Sequence, residues 1–125
     1  MYNKILTAVF TALIAAIPTS LLAADLPVKT VEQIFAQQTE LSGQKIHLSG
    51  KVVKVNNGIM GKNFIHIQDG TGAEGTNDII VTSQQTANLG DELEIEALVI
   101  TNRDFGMGYS YAVILEEGTL SGISH

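Results

Sequence analysis

Lys45-Ile46-His47-Leu48-Ser49-Gly50-Lys51-Val52-Val53-Lys54-Val55 reads as one strand whose buried face changes partway along. Successive strand side chains point to opposite faces, so Ile46 and Leu48 share one face while Val53 and Val55 belong to the other. Gly50 stands where a bulge would make the switch. A long, bent first strand with a glycine near its middle is what a small, strongly curved closed sheet requires.

The rest of the chain agrees with that start. In Glu92-Leu93-Glu94-Ile95-Glu96-Ala97 acids alternate with apolar residues, the pattern of a strand with one wet and one buried face. Strands are predicted over 45–55, 62–69, 78–82, 92–101 and 109–117, separated by Gly, Asn and Asp clusters. Thr30 followed three residues later by Gln33 is a capping box, and Val31, Ile34 and Phe35 fall at helical spacing, which predicts one short helix over about 30–41. One helix followed by five strands predicts an all-β, five-stranded OB-fold barrel, a partly open Greek key. The helix that usually joins its third and fourth strands would have to be the short 83–89 segment.

Residues 1–24 combine a short positive start, an apolar run from Ile5 to Ile17 and small residues at Ala23 and Ala24. This reads as a secretory signal peptide cleaved before Asp25, with no stable membrane insertion afterwards. Residues 25–125 are then a single domain, expected in the periplasm as a monomer or weak oligomer. Its six lysine and arginine residues face all 13 acids, a formal charge of −7. Such a charge repels phosphate backbones overall. The chain has no cysteine, so disulfides, thiolate metal sites and a lipid-modified cysteine are excluded.

Chemistry concentrates in Gly58-Ile59-Met60-Gly61-Lys62-Asn63-Phe64-Ile65-His66-Ile67-Gln68-Asp69-Gly70-Thr71-Gly72. Ile65 and Ile67 are the inward residues of the second strand, which leaves Phe64, His66 and Gln68 on its outer face beside a methionine-bearing loop. The plain reading makes His66 solvated surface, Met60 a core filler and the glycine clusters ordinary turns. The functional reading makes this face a binding groove, because thioether and imidazole suit copper(I) and an aromatic ring can shield a soft cation. A second cluster, Asn102-Arg103-Asp104-Phe105-Gly106-Met107-Gly108-Tyr109-Ser110-Tyr111, leads into the last strand and would border the same face. It reads either as a tight glycine turn with core aromatics or as the other wall of the groove. His47 could face either way, and His125 ends the chain.

Four blocks carry a family resemblance: Gly50-Lys51-Val52-Val53-Lys54-Val55, Gly58-Ile59-Met60-Gly61-Lys62-Asn63, His66-Ile67-Gln68-Asp69-Gly70-Thr71-Gly72, and Asp104-Phe105-Gly106 with Gly108-Tyr109 and Tyr111. Together they resemble the small exported NrfJ-like OB-fold proteins found with periplasmic cytochrome c nitrite reductase systems. The resemblance spans nearly all of residues 25–125 and implies a periplasmic accessory protein, with a metalloenzyme or cytochrome as partner. Phe64 stands where that family usually carries tryptophan. In ligand type and fold the chain is also similar to the copper(I) chaperone of the Cus efflux system, although the spacing of Met60, Phe64 and His66 differs.

No nucleophile elbow is present, and Gly58-Ile59-Met60-Gly61-Lys62 lacks the spacing and the Ser or Thr of a phosphate loop. The expectation is therefore a binding or accessory protein and not an enzyme. Copper(I) would be held by Met60, His66 and Met107, on a ligand face made of Phe64, Lys62, Asn63, Gln68, Arg103 and Tyr109. The alternative is single-stranded nucleic acid, nucleotide or oligosaccharide on the same face.

Overall fold

A computed structural model describes residues 26–123; the signal-peptide reading of residues 1–24 and the terminal His125 lie outside them. The first helical segment is α1 (Val31–Ala36), and Thr30 and Gln33 form the expected capping box at its start. The chain breaks at Gln37 before a single further turn, α2 (Gln38–Leu41), so two short helices replace the one expected. Val31, Ile34 and Leu41 join the interior apolar cluster, which is how so short a helical segment is held at all.

Five strands follow: β1 (Lys45–Ile59), β2 (Lys62–Gln68), β3 (Ile79–Ser83), β4 (Glu92–Gly106) and β5 (Tyr109–Gly122). They form one sheet closed in a ring in the order β1-β2-β3-β5-β4. β1 serves two neighbours, pairing with β4 from Lys45 to Lys51 and with β2 from Lys51 to Ile59. Closure comes from a parallel pairing of β3 with β5 at Val81 and Leu115. Side chains reinforce that seam: Ser83 Oγ donates to the Gly118 carbonyl at 2.6 Å, and Gln85 bonds both the N–H and the carbonyl of Leu120 at 2.8 and 3.0 Å. These bonds also correct the expected 83–89 helix. From Gln84 onward that segment is irregular, its polar side chains tied elsewhere: Gln85 to Leu120 of β5, Gln84 Nε2 to the Gly61 carbonyl and Thr86 to Asn57.

Alternation along β4 is as expected, with Leu93, Ile95, Ala97 and Val99 buried inside the ring. The face switch in β1 differs from the expectation. Ile46, Leu48 and Val52 all point inward, Val53 is exposed, and the register shift lies between Val52 and Lys54 instead of at Gly50. Gly50 has another task. A Cβ there would lie 2.4 Å from Ile67 Cγ2 and 3.1 Å from the Gln68 carbonyl oxygen, so its missing side chain lets β1 pass close across the end of β2.

The Asp69–Gly72 turn does more than reverse the chain. Asp69 Oδ2 accepts the Val31 N–H at 2.9 Å, and Thr71 Oγ1 accepts the Glu32 N–H at 3.0 Å, so the loop after β2 supplies hydrogen-bond acceptors to the start of α1. The lead-in strand is fixed similarly, with Lys29 and Pro27 bonded to the backbone of His47. No helix among the described residues is long and apolar enough to cross a membrane.

Candidate functional site

Ile65 and Ile67 fill the ring, so Lys62, Phe64, His66 and Gln68 share the outer face of β2. Phe64 is nevertheless only 2% exposed. Among the described residues, Phe64 and Ile114 are the two buried large apolar side chains outside the interior cluster. The outer part of the β4–β5 hairpin supplies the cover. The Phe105 ring meets Phe64 edge-on at 5.6 Å, and Tyr109 and Tyr111 lie at 6.4 and 6.5 Å. The expectation of an open ring beside a metal is thereby corrected. Parity says which face a residue takes, and a distant hairpin decides whether that face meets water.

Charges close the cluster from above. The Arg103 guanidinium lies 4.6 Å from the Phe105 ring centre and Lys62 Nζ lies 5.8 Å from it. Both cations approach Glu116, which is buried: Arg103 Nε is 3.0 Å from Oε2 and Lys62 Nζ is 4.0 Å from Oε1. Neither Arg103 Nε nor Glu116 Oε2 has a hydrogen-bond partner among the described residues, so their contact is one of charge alone. A carboxylate so enclosed depends on the cations that neutralise it. Burial raises the Tyr111 phenol above its usual 10.0, with Tyr109 adding to the effect, which keeps it a protonated hydroxyl.

Further along β2, His66 Nδ1 lies 2.9 Å from Asp78 Oδ1, and Gln68 Nε2 donates to Asp78 Oδ2 at 3.3 Å. Asp78 precedes β3, whose Ile80 pairs with His66. An acceptor at Nδ1 selects the tautomer that leaves the Nε2 lone pair free. That nitrogen has no hydrogen-bond partner among the described residues.

Of the remaining expected site residues, Asn63 is occupied structurally. Its Oδ1 accepts the Gly58 N–H at 3.0 Å and its Nδ2 donates to the Gln84 and Gln85 carbonyls at 3.4 and 3.0 Å, stitching the β1–β2 turn to the segment after β3. Met60 and Met107 sit at hairpin tips in left-handed conformations, 41% and 84% exposed, so neither fills the core. Tyr109 is 36% exposed.

The register does not bring Met60 and His66 together. Lys62 and His66 are separated by about 13 Å of extended strand, Met60 lies beyond Lys62, and the Phe64 cluster stands between them. Metal–ligand bonds are only about 2 Å long, so one ion shared by Met60 and His66 is not what this geometry offers. Among the described residues no three His, Asp or Glu side chains come together as a metal site. Sequence reasoning missed Asp78 and Glu116. Asp78 could have been found by extending the β2–β3 register, whereas nothing local marks Glu116.

His47 pairs with Glu94 across the β1–β4 ladder, and Ser49 Oγ donates to the same carboxylate at 2.9 Å. The His47 bond, then the Ser49 bond, hold the Glu94 carboxyl below its ordinary 4.5. A carboxyl depressed by folding stabilises the protein above its unfolded-state pKa, and that contribution is lost as pH falls through the folded value. Melting temperatures at about pH 6 and pH 3 should therefore differ less in Glu94→Gln than in the parent. An equal acid-induced drop in both would show that the pair does not contribute.

No family model matches this chain, and no curated protein matches it.

Proposed function

We propose that this chain is an exported OB-fold accessory protein that binds a soft monovalent metal, copper(I) being the best fit, at His66. The strand order, with β1 shared between two neighbours and β3 parallel to β5, supports the OB-fold reading. The helical segment before β1 serves as the plug of the ring, in place of a helix between β3 and β4. Export to the periplasm rests on the pattern of residues 1–24 and on the sequence resemblance, and a metalloenzyme or cytochrome partner on that resemblance alone.

The observation that carries the metal reading is the His66–Asp78 pair. A carboxylate on one ring nitrogen holds the imidazole in place and leaves the other nitrogen for a metal, the usual support of a metal-binding imidazole. Met107 is proposed as the thioether partner, offered from the exposed hairpin tip. Nitrogen and thioether donors without thiolate or free carboxylate favour copper(I) over magnesium or calcium. Met60 belongs to the far end of β2 and is left out of the set.

Titration with silver(I), a redox-inert stand-in, should give one-to-one binding. His66→Ala should abolish it, Met107→Leu should weaken it by about tenfold or more, and Met60→Leu should leave it unchanged. Silver binding by the parent no tighter than by His66→Ala would overturn the reading. Single-stranded nucleic acid is disfavoured, because the formal charge of −7 over residues 25–125 repels a phosphate backbone.

A further inference from the structure

We propose that the outer part of the β4–β5 hairpin, residues 102–112, is a hinged strap that closes over the outer face of β2 and β3 and is latched by the Arg103–Glu116 pair. The two strands have distinct halves. Leu93, Ile95, Ala97 and Val99 of β4, with Val113, Leu115 and Leu120 of β5, belong to the interior cluster, but no residue of 102–112 does. Past the Thr101–Val113 pair the hairpin packs against the outside of the ring, through Phe105, Tyr109 and Tyr111 on Phe64.

A joint lies at the junction of the halves. Asn102 has a φ of 54, a conformation in which asparagine is among the least strained residues, while ladder pairing continues on both sides of it. The latch is equally local. Arg103, the next residue, reaches Glu116 at 3.0 Å as a charge–charge contact, and neither of those two buried atoms has a hydrogen-bond partner among the described residues. Lifting the strap would expose Phe64 and Glu116 together and leave the interior cluster untouched.

The face so covered is the one on which an OB-fold takes its ligand. In the closed state the strap's own rings fill the place where a planar group of an incoming ligand would stack. Only this last point rests on the OB-fold reading; the opening itself does not, and it requires no metal.

Hydrogen exchange on the unmodified protein tests it. Hydrogen-bonded amides of residues 102–112 should exchange as a group, at least about tenfold faster than those of the inner halves of the same strands. Arg103→Gln should accelerate the outer group alone. A second probe uses the absence of tryptophan from the chain: Phe64→Trp should emit as a buried indole, and adding Arg103→Gln should shift its emission to the red and increase quenching by acrylamide. Uniform exchange along β4 and β5 in the parent would overturn the strap. So would an Arg103→Gln effect spread equally over both halves, or an unchanged indole. A strap without silver binding, or silver binding without a strap, would separate this proposal from the one at His66.

Discussion

Phe64→Ala is expected to cost about 3 kcal/mol, the lower end for deleting a buried aromatic ring. The ring is enclosed as completely as an interior residue, yet its neighbours are hairpin side chains that can partly collapse into the space. Edge-on and tilted contacts to Phe105, Tyr109 and Tyr111 would be lost together, each worth about 0.5–1.5 kcal/mol beyond simple burial. Urea denaturation should show a lower midpoint for Phe64→Ala. A midpoint within error of the parent would mean that the hairpin is not packed on β2 in solution.

Gly72→Ala should cost about 2–4 kcal/mol, from strained backbone and forced overlap together. Gly72 has a φ of 86, and an added Cβ would lie 2.2 Å from the Thr76 carbonyl oxygen and 2.7 Å from its carbon. Those atoms are backbone, so the 72–76 turn must move. The control is Gly70→Ala. Its φ of 85 is nearly the same, but nothing lies within 4 Å of the added Cβ, so it should incur only the conformational cost of about 1–2 kcal/mol. Thermal melts of the two variants isolate the overlap, and equal losses would show that the turn has room.

The elements that were legible in the sequence are those whose cause is local. Thr30 and Gln33 mark a helix start because both partners of the capping box lie within one turn. The β4 alternation marks a wet and a dry face because period two needs no tertiary knowledge. Gly50 was misread for the opposite reason. A glycine that makes a bulge and one that admits a crossing strand look alike until Ile67 and Gln68 are set beside it. The outer-face placement of Phe64, His66 and Gln68 follows from Ile65 and Ile67. The cover over Phe64 does not, since it comes from residues 105–111. The acceptors that Asp69 and Thr71 provide to α1 were equally invisible, with partners 38 and 39 residues away.

Those two acceptors bear on the order in which the chain acquires structure. A six-residue helix is far too short to persist alone, since nucleation is unfavourable and isolated helices shorter than about 12 residues are marginal in water. Two of the first N–H groups of α1 are bonded by residues that arrive only after β1 and β2 have been made. Its apolar residues Val31 and Ile34 are buried in one cluster with residues of all five strands. A ribosome delivers the chain from the opposite direction, N-terminal end first. The helix therefore emerges before the loop that bonds its first turn, and it waits as unstructured chain for the two strands that precede that loop.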